Sequence, residues 1–280
     1  MKKVIATITA FSLLSANLVS CKKDSTFSPA TSNTKTVNTT EKVLELSKRY
    51  QSKSTGHGNV ALRSWKQYAA ADAIGALDGA GTGGAVAGLW GAVCGGITYG
   101  VFASCALDMF DRVAPNPDNP TLEGSNPTIP GTTLSANDPG NRHNAMLAYV
   151  LGNPNMFGGA GTPKLDDLKT YCISNVSSTY GFDNSSLTNI VGNCKPYDSI
   201  VRYTENPSAY FASLGENDFR TVSETFYNTA FGITDNASLK QYYNDFVTII
   251  NGSSDFTDTQ KAALITYSSI ATASILYHNN

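Results

Sequence analysis

The stretch GGAVAGLWGAVCGGITYG, residues 83–100, decides the fold, because it fits three different structures: a membrane span, a helix built for close packing, or a loop. It sits inside a longer uncharged run, Gly79 to Leu107, whose 29 residues are enough to cross a bilayer at a rise of 1.5 Å per residue. Nine of those residues are glycine. In a water-exposed helix each glycine costs roughly 0.5–1 kcal/mol against alanine, so a solitary helix here is disfavoured by several kcal/mol. Packing must offset that loss.

The spacing indicates how. Counting in fours from Ala76 gives Ala76, Ala80, Gly84, Gly88, Ala92, Gly96, Gly100 and Ser104, all small, and a second row, Gly83, Ala87, Gly91 and Gly95, lies beside the first. Such a face lets another backbone approach closely, by the small-xxx-small logic of packed helices. Bulky Leu89, Trp90, Val93, Ile97, Val101 and Phe102 fall outside the main row. The expectation is a helix or helical hairpin whose packing face is Gly84, Gly88, Ala92, Gly96, Gly100 and Ser104. Its break is expected at DGAGTGG, residues 78–84, where glycine is densest and Asp-Gly marks a turn. Lipid and protein both remain possible partners for this face. The segment also resembles the Gly/Ala-rich helices of small bacteriocins and glycine-zipper toxins, a resemblance that implies membrane insertion or self-assembly.

The chain downstream of the run is broken by residues 114–140, which hold six of the eleven prolines and read as a linker or long surface loop. Beyond it, residues 141–280 carry apolar stripes at helical spacing: Leu165, Leu168, Cys172 and Val176; Phe219, Val222, Phe226 and Ala230; Leu239, Tyr242, Tyr243, Phe246 and Ile250. A last helix starts with a capping-box pattern, Thr257 and Gln260, and its uncharged run from Ala262 to Tyr277 reads as a central buried helix. No strand alternation of useful length occurs. The fold class expected is therefore all-α, a helical bundle with an N-terminal glycine/alanine-rich hairpin. It is organised as a helical region at 41–113, a linker at 114–140 and an all-α domain at 141–280.

The N-terminus, MKKVIATITAFSLLSANLVSC, has Lys2 and Lys3, an apolar run from Val4 to Leu14, and small residues before a cleavage point, the three elements of a secretory signal over residues 1–20. Leu18-Val19-Ser20-Cys21 resembles the lipobox of bacterial lipoproteins. That resemblance implies acylation of Cys21, with palmitate-like chains anchoring the mature protein; more than one chain is needed for stable anchoring. Lys22-Lys23-Asp24 resembles the export signal of Bacteroidetes surface lipoproteins, which implies the outer membrane, on its periplasmic face or the cell surface. The Ser/Thr/Asn tract that follows completes a tether over residues 21–40.

Loss of Lys2 and Lys3 takes the net charge from −2 to −4, leaving no basic field for nucleic acid. Four cysteines remain besides Cys21. Cys172 and Cys194 form the natural disulfide pair in an exported chain, whereas Cys94 and Cys105 are too far apart to bond on one continuous helix. The histidines, His57, His143 and His278, stand in unrelated contexts, and the chain has no HExxH, CxxC, GxSxG or GxxxxGK motif. GAGTGG satisfies GxGxxG through Gly79, Gly81 and Gly84, but no strand precedes it, so no dinucleotide is expected. One polar cluster stands out, Arg142, His143 and Asn144, at the start of a helix that Asn141 or Asn144 would cap. His143 is expected to be a structural group; its alternative is a base acting with Cys172 or Cys194 as nucleophile. Asp166 and Asp167 suit a helix N-terminus better than a metal.

These readings point to a non-enzymatic outer-membrane lipoprotein with no cofactor and no metal, held by its lipid anchor and serving self-association or binding of another membrane protein. The alternative is a bacteriocin-like toxin whose hairpin inserts into a target bilayer.

Overall fold

The computed structural model describes residues 37–51, 65–124, 126–159 and 161–279. The signal peptide, Cys21, most of the tether and His57 lie outside the described residues. The structure is all-α: α1 (Thr39–Gln51), α2 (Trp65–Asp111), α3 (Asp138–Gly152), a 3-10 turn (Pro154–Phe157), α4 (Leu165–Tyr180), α5 (Asn184–Asn193), α6 (Tyr197–Glu205), α7 (Pro207–Ala212), α8 (Asp218–Ala230), α9 (Asn236–Asn251) and α10 (Asp258–His278). Apart from an isolated bridge between Thr128 and Ser135, the described residues contain no strand.

Helix α2 is a hairpin. Its backbone leaves the helical region at Ala87 (φ −138°, ψ 22°) and Gly88 (φ 63°, ψ −147°), and the chain reverses there. The expected break at 78–84 is thus displaced toward the C-terminus. The dense glycines of 79–84 keep helical geometry and serve close approach, while Gly88 takes the positive φ that glycine tolerates at little cost.

The row of fours is mirrored about this turn, and the two arms meet along it. A methyl group built on Gly84 would lie 3.5 Å from the Ala92 Cβ, one on Gly96 would lie 3.1 Å from the Ala80 Cβ, and one on Gly100 would lie 3.2 Å from the Ala76 Cβ. The second row is tighter still. Side chains at Gly83 or Gly79 would overlap the backbone carbonyls of Gly91 and Gly95 on the opposite arm. Only glycine allows backbones so near.

Helix α10 lies along the outer side of this hairpin, with Thr259 against Gly84 and Thr266 against Gly96. It starts with the capping box expected from the sequence, in which Thr257 accepts from the Gln260 amide while the Gln260 side chain accepts from Thr257 N–H. Every residue from Ala262 to Tyr277 is buried. Helices α8 and α9 present the expected stripes inward: Val222, Phe226 and Ala230 from one, Leu239, Tyr242, Tyr243, Phe246 and Ile250 from the other. Phe226 is the aromatic hub, with ring centroids 4.5 Å from Phe246, 5.3 Å from Tyr242 and 5.7 Å from Tyr267.

The described residues of 114–124 and 126–137 are irregular, as their prolines require, yet they do not divide the chain into separate domains. Ile129 and Leu122 are buried, Asn116 donates to the hydroxyl and carbonyl oxygens of Tyr277, and Tyr243 donates to the Ala136 carbonyl at 2.6 Å. The described chain on both sides of this strap belongs to one compact unit, Val37–Asn280. Helix α3 begins earlier than a cap at Asn141 or Asn144 implies: Asn137 is its N-cap residue, and the Asn141 side chain instead bonds the Leu122 backbone.

Two glycines separate the packing role from intrinsic helix preference. Gly83→Ala is expected to destabilise the fold by about 1–3 kcal/mol or more, since backbone and not a flexible side chain must move. Gly81→Ala has nothing within 4 Å and is expected to gain about 0.5–1 kcal/mol. Urea denaturation of both variants tests this, and equal effects of the two would refute close packing.

Candidate functional site

Residues from the hairpin's open end and from two distant helices meet in one buried polar cluster. Asp72 lies on the first arm of α2, Ser104 and Asp108 on the second, His143 and Asn144 on α3, and Ser274 and His278 on the last turns of α10. Reversal at Gly88 places Asp72 and Asp108 at the same end of the hairpin. Both are fully buried.

His143 Nε2 lies 2.8 Å from Asp72 Oδ1, and its Nδ1 lies 3.1 Å from Asn144 Oδ1. The Asn144 amide nitrogen donates to the carbonyls of Pro120 (2.9 Å) and Ala273 (3.0 Å), so its oxygen is the atom that faces the ring. Both imidazole nitrogens therefore meet acceptor oxygens. Ser274 donates to the other oxygen of Asp72. His278 Nε2 stands 3.5 Å from Asp72 Oδ2 and 3.8 Å from Asp108 Oδ2, in ion-pair range, and Ser104 donates to Asp108 at 3.2 Å. Two carboxyls and two imidazoles share one buried compartment.

Their electrostatics diverge. Burial alone would raise Asp72, but the charge and hydrogen bond of His143, with His278 behind it, outweigh burial and hold its carboxyl well below the usual range. Asp108 lacks such a bond to an imidazole. Burial pushes it up to about 7, reinforced by the neighbouring Asp72 and opposed by His278 and Ser104. Burial would lower His278, but the charges of Asp108 and Asp72 prevail and raise it.

The sequence candidates fall differently. Arg142, His143 and Asn144 do not form one site: Arg142 reaches outward to Asn175 and Thr179 on α4, while His143 and Asn144 turn inward. His143 and His278, unrelated in sequence, converge on Asp72. Neither Cys172 nor Cys194 is hydrogen-bonded to a histidine of the cluster, and its serine hydroxyls, Ser104 and Ser274, are bonded to Asp108 and Asp72 and not to a ring. The expected disulfide between Cys172 and Cys194 is absent. Cys172 is buried on α4, whereas the Cys194 thiol donates to the Ile190 carbonyl at 3.3 Å beside Asp78 and Thr82. All four thiols, Cys94, Cys105, Cys172 and Cys194, are free and raised by burial, which suits inert core groups. Asp166 and Asp167 occupy the first turn of α4, and among the described residues no group of three potential ligands is placed to hold a metal ion.

Sequence reasoning missed Asp72, Asp108, Ser274 and His278. A signal existed for Asp108, which ends the charge-free run that Asp78 begins; Asp72, six residues before Asp78, carried none.

No family model, curated protein or solved structure matches this chain.

The cluster makes stability depend on pH. Unfolded Asp108 loses its proton near pH 4, while the folded group keeps it to about 7, so between those values the folded state holds the extra proton and stability falls as pH rises. His278, raised in the fold, acts in the same direction at higher pH. Asp72 acts oppositely, and its contribution is lost as pH falls below about 4. Chemical denaturation is expected to show a loss of about 2–4 kcal/mol between about pH 5 and pH 8. Asp108→Asn should flatten that slope, and an unchanged slope in this variant would exclude Asp108 as its source.

Thiol counting checks the cysteines. In the Cys21→Ala chain, denaturation without reductant is expected to release all four thiols to an aromatic disulfide reagent. Release of two would mean that a pair is bonded.

Proposed function

We propose that this chain is a non-enzymatic lipoprotein of the outer membrane, anchored through Cys21, whose glycine hairpin is the internal spine of a helical binding or assembly domain. The observation that carries the reading is the mutual burial of the glycine face. Arm packs on arm through Gly79, Gly83, Gly91 and Gly95, and α10 covers Gly84 and Gly96. Helix α2 is long and apolar enough to cross a membrane, yet 67% of its most apolar window is buried within the fold. A face already filled by protein has no need of lipid.

The polar cluster supports the same reading. His143 and Asp72 are each 0% exposed, and their bonds go to one another, to Asn144 and to Ser274. A cluster bonded this way balances charge and ties α2, α3 and α10 together. The negative net charge of the mature chain disfavours nucleic acid as partner, so another membrane protein or a second copy is the partner class that fits.

Flotation with liposomes separates anchoring from insertion. Protein made with Cys21 is expected to rise with lipid and to carry acyl mass on its N-terminal peptide, whereas Cys21→Ala should stay soluble and monodisperse. Flotation of Cys21→Ala would favour the bacteriocin-like alternative, in which residues 79–107 leave the fold and enter the bilayer.

A further inference from the structure

The last turn of α2 and the adjoining face of α6 enclose a groove of about 530 Å³, lined by none of the histidine cluster's residues. Spacing along each helix builds it. Leu107, Phe110 and Asp111 stand three and four residues apart on α2 and so share a face, and Tyr197, Asp198, Val201 and Arg202 pair in the same way on α6. The volume falls within the roughly 300–1,000 Å³ of small-ligand sites.

Its floor is apolar and largely aromatic. Leu107 is buried, and the Tyr197 ring meets Phe102 edge to face, with centroids 6.2 Å apart, while it stacks with Phe110 at 6.3 Å. Phe110 is still 42% exposed, so ring surface is left for a ligand. The rim carries both signs of charge: the carboxyls of Asp111 and Asp198 and the guanidinium of Arg202, all exposed. Arg202 spends one N–H on Ser199 Oγ at 3.3 Å, and its fork has further donors.

We propose that this groove binds a free α-amino acid with a large apolar side chain. The side chain lies on Phe110, Tyr197 and Val201, the carboxylate takes the fork of Arg202, and the ammonium takes Asp111 and Asp198. The sign pattern carries the choice. Arg202 disfavours a simple cation and the two carboxyls disfavour a simple anion, whereas an α-amino acid brings both charges on one carbon beside its apolar group. Its three ammonium hydrogens suit two carboxylates, and its carboxylate suits one guanidinium. Exposed ion pairs contribute little, so binding is weak and depends on the aromatic floor as much as on the rim. The proposal adds a ligand to the binding domain described above and does not depend on the lipid anchor.

Isothermal titration of the full chain made as Cys21→Ala, with L-phenylalanine as probe, tests this. Phenylalanine is expected to bind roughly ten-fold more tightly than phenethylamine, which lacks the carboxylate, and than 3-phenylpropionate, which lacks the ammonium. Arg202→Gln should weaken phenylalanine about ten-fold and leave phenethylamine no weaker, and Phe110→Ala should weaken all three. Both side chains are exposed, so the variants are expected to keep the fold, which circular dichroism checks. Folded protein that does not bind phenylalanine overturns the proposal. Phenethylamine binding as tightly as phenylalanine also overturns it and assigns the groove to organic cations. So does phenylalanine affinity unchanged by Arg202→Gln, which would place the ligand elsewhere.

Discussion

Backbone approach between the two arms of α2 is the constraint on which the rest depends. Gly79 faces Gly95 and Gly83 faces Gly91 so closely that no side chain fits at these positions. This contact sets the register of the hairpin, and the register sets what each arm presents elsewhere. Small residues on the outer side of both arms form the trough that receives α10, whose own Thr, Ser and Ala residues match it in size. Close contact of this kind gains dispersion and weak Cα–H···O interactions along its length, and these offset the conformational entropy lost at each glycine.

The same register has an electrostatic consequence. Asp72 precedes the turn and Asp108 follows it, and reversal at Gly88 brings both to one end of the bundle, opposite the C-terminus of α10. Two buried carboxylates in one compartment would repel strongly. His143 and His278 balance them, but unequally: Asp72 takes the short bond to His143, and Asp108 is left with longer contacts and a carboxyl that holds its proton to about 7. Breaking such a pair by removing one partner leaves an uncompensated buried charge, so the cluster enforces the mutual arrangement of α2, α3 and α10 even where its net stabilisation is small.

The two ends of the hairpin thus differ in chemistry. One is ionic, sealed and tied to three helices. The other is uncharged, with Ala85 and Val86 exposed at the turn and Leu89 packed under Gly131.

Local pattern was enough for much of this fold. Stripes in α4, α8 and α9, the capping box of α10, its buried run, and the hairpin itself follow from apolar spacing, cap chemistry and the repetition of small residues every fourth position. Three matters needed the tertiary structure. The turn falls at Gly88 and not at the glycine-dense 78–84, because a glycine needed for close approach and one needed for a positive φ are identical in sequence and differ only in what stands opposite. The described residues of 114–124 and 126–137 belong to the body of the protein, because buried Ile129 and Leu122 and the bonds of Asn116 depend on surfaces formed by distant helices. The Asp72–His143–His278–Asp108 cluster and the four free thiols were hidden for the same reason: long-range pairing is fixed by which helix faces which, and one-dimensional spacing carries no record of that. Composition and period determined that this chain makes a tightly packed helical bundle; only the packing of the hairpin on itself decided which charges meet inside it.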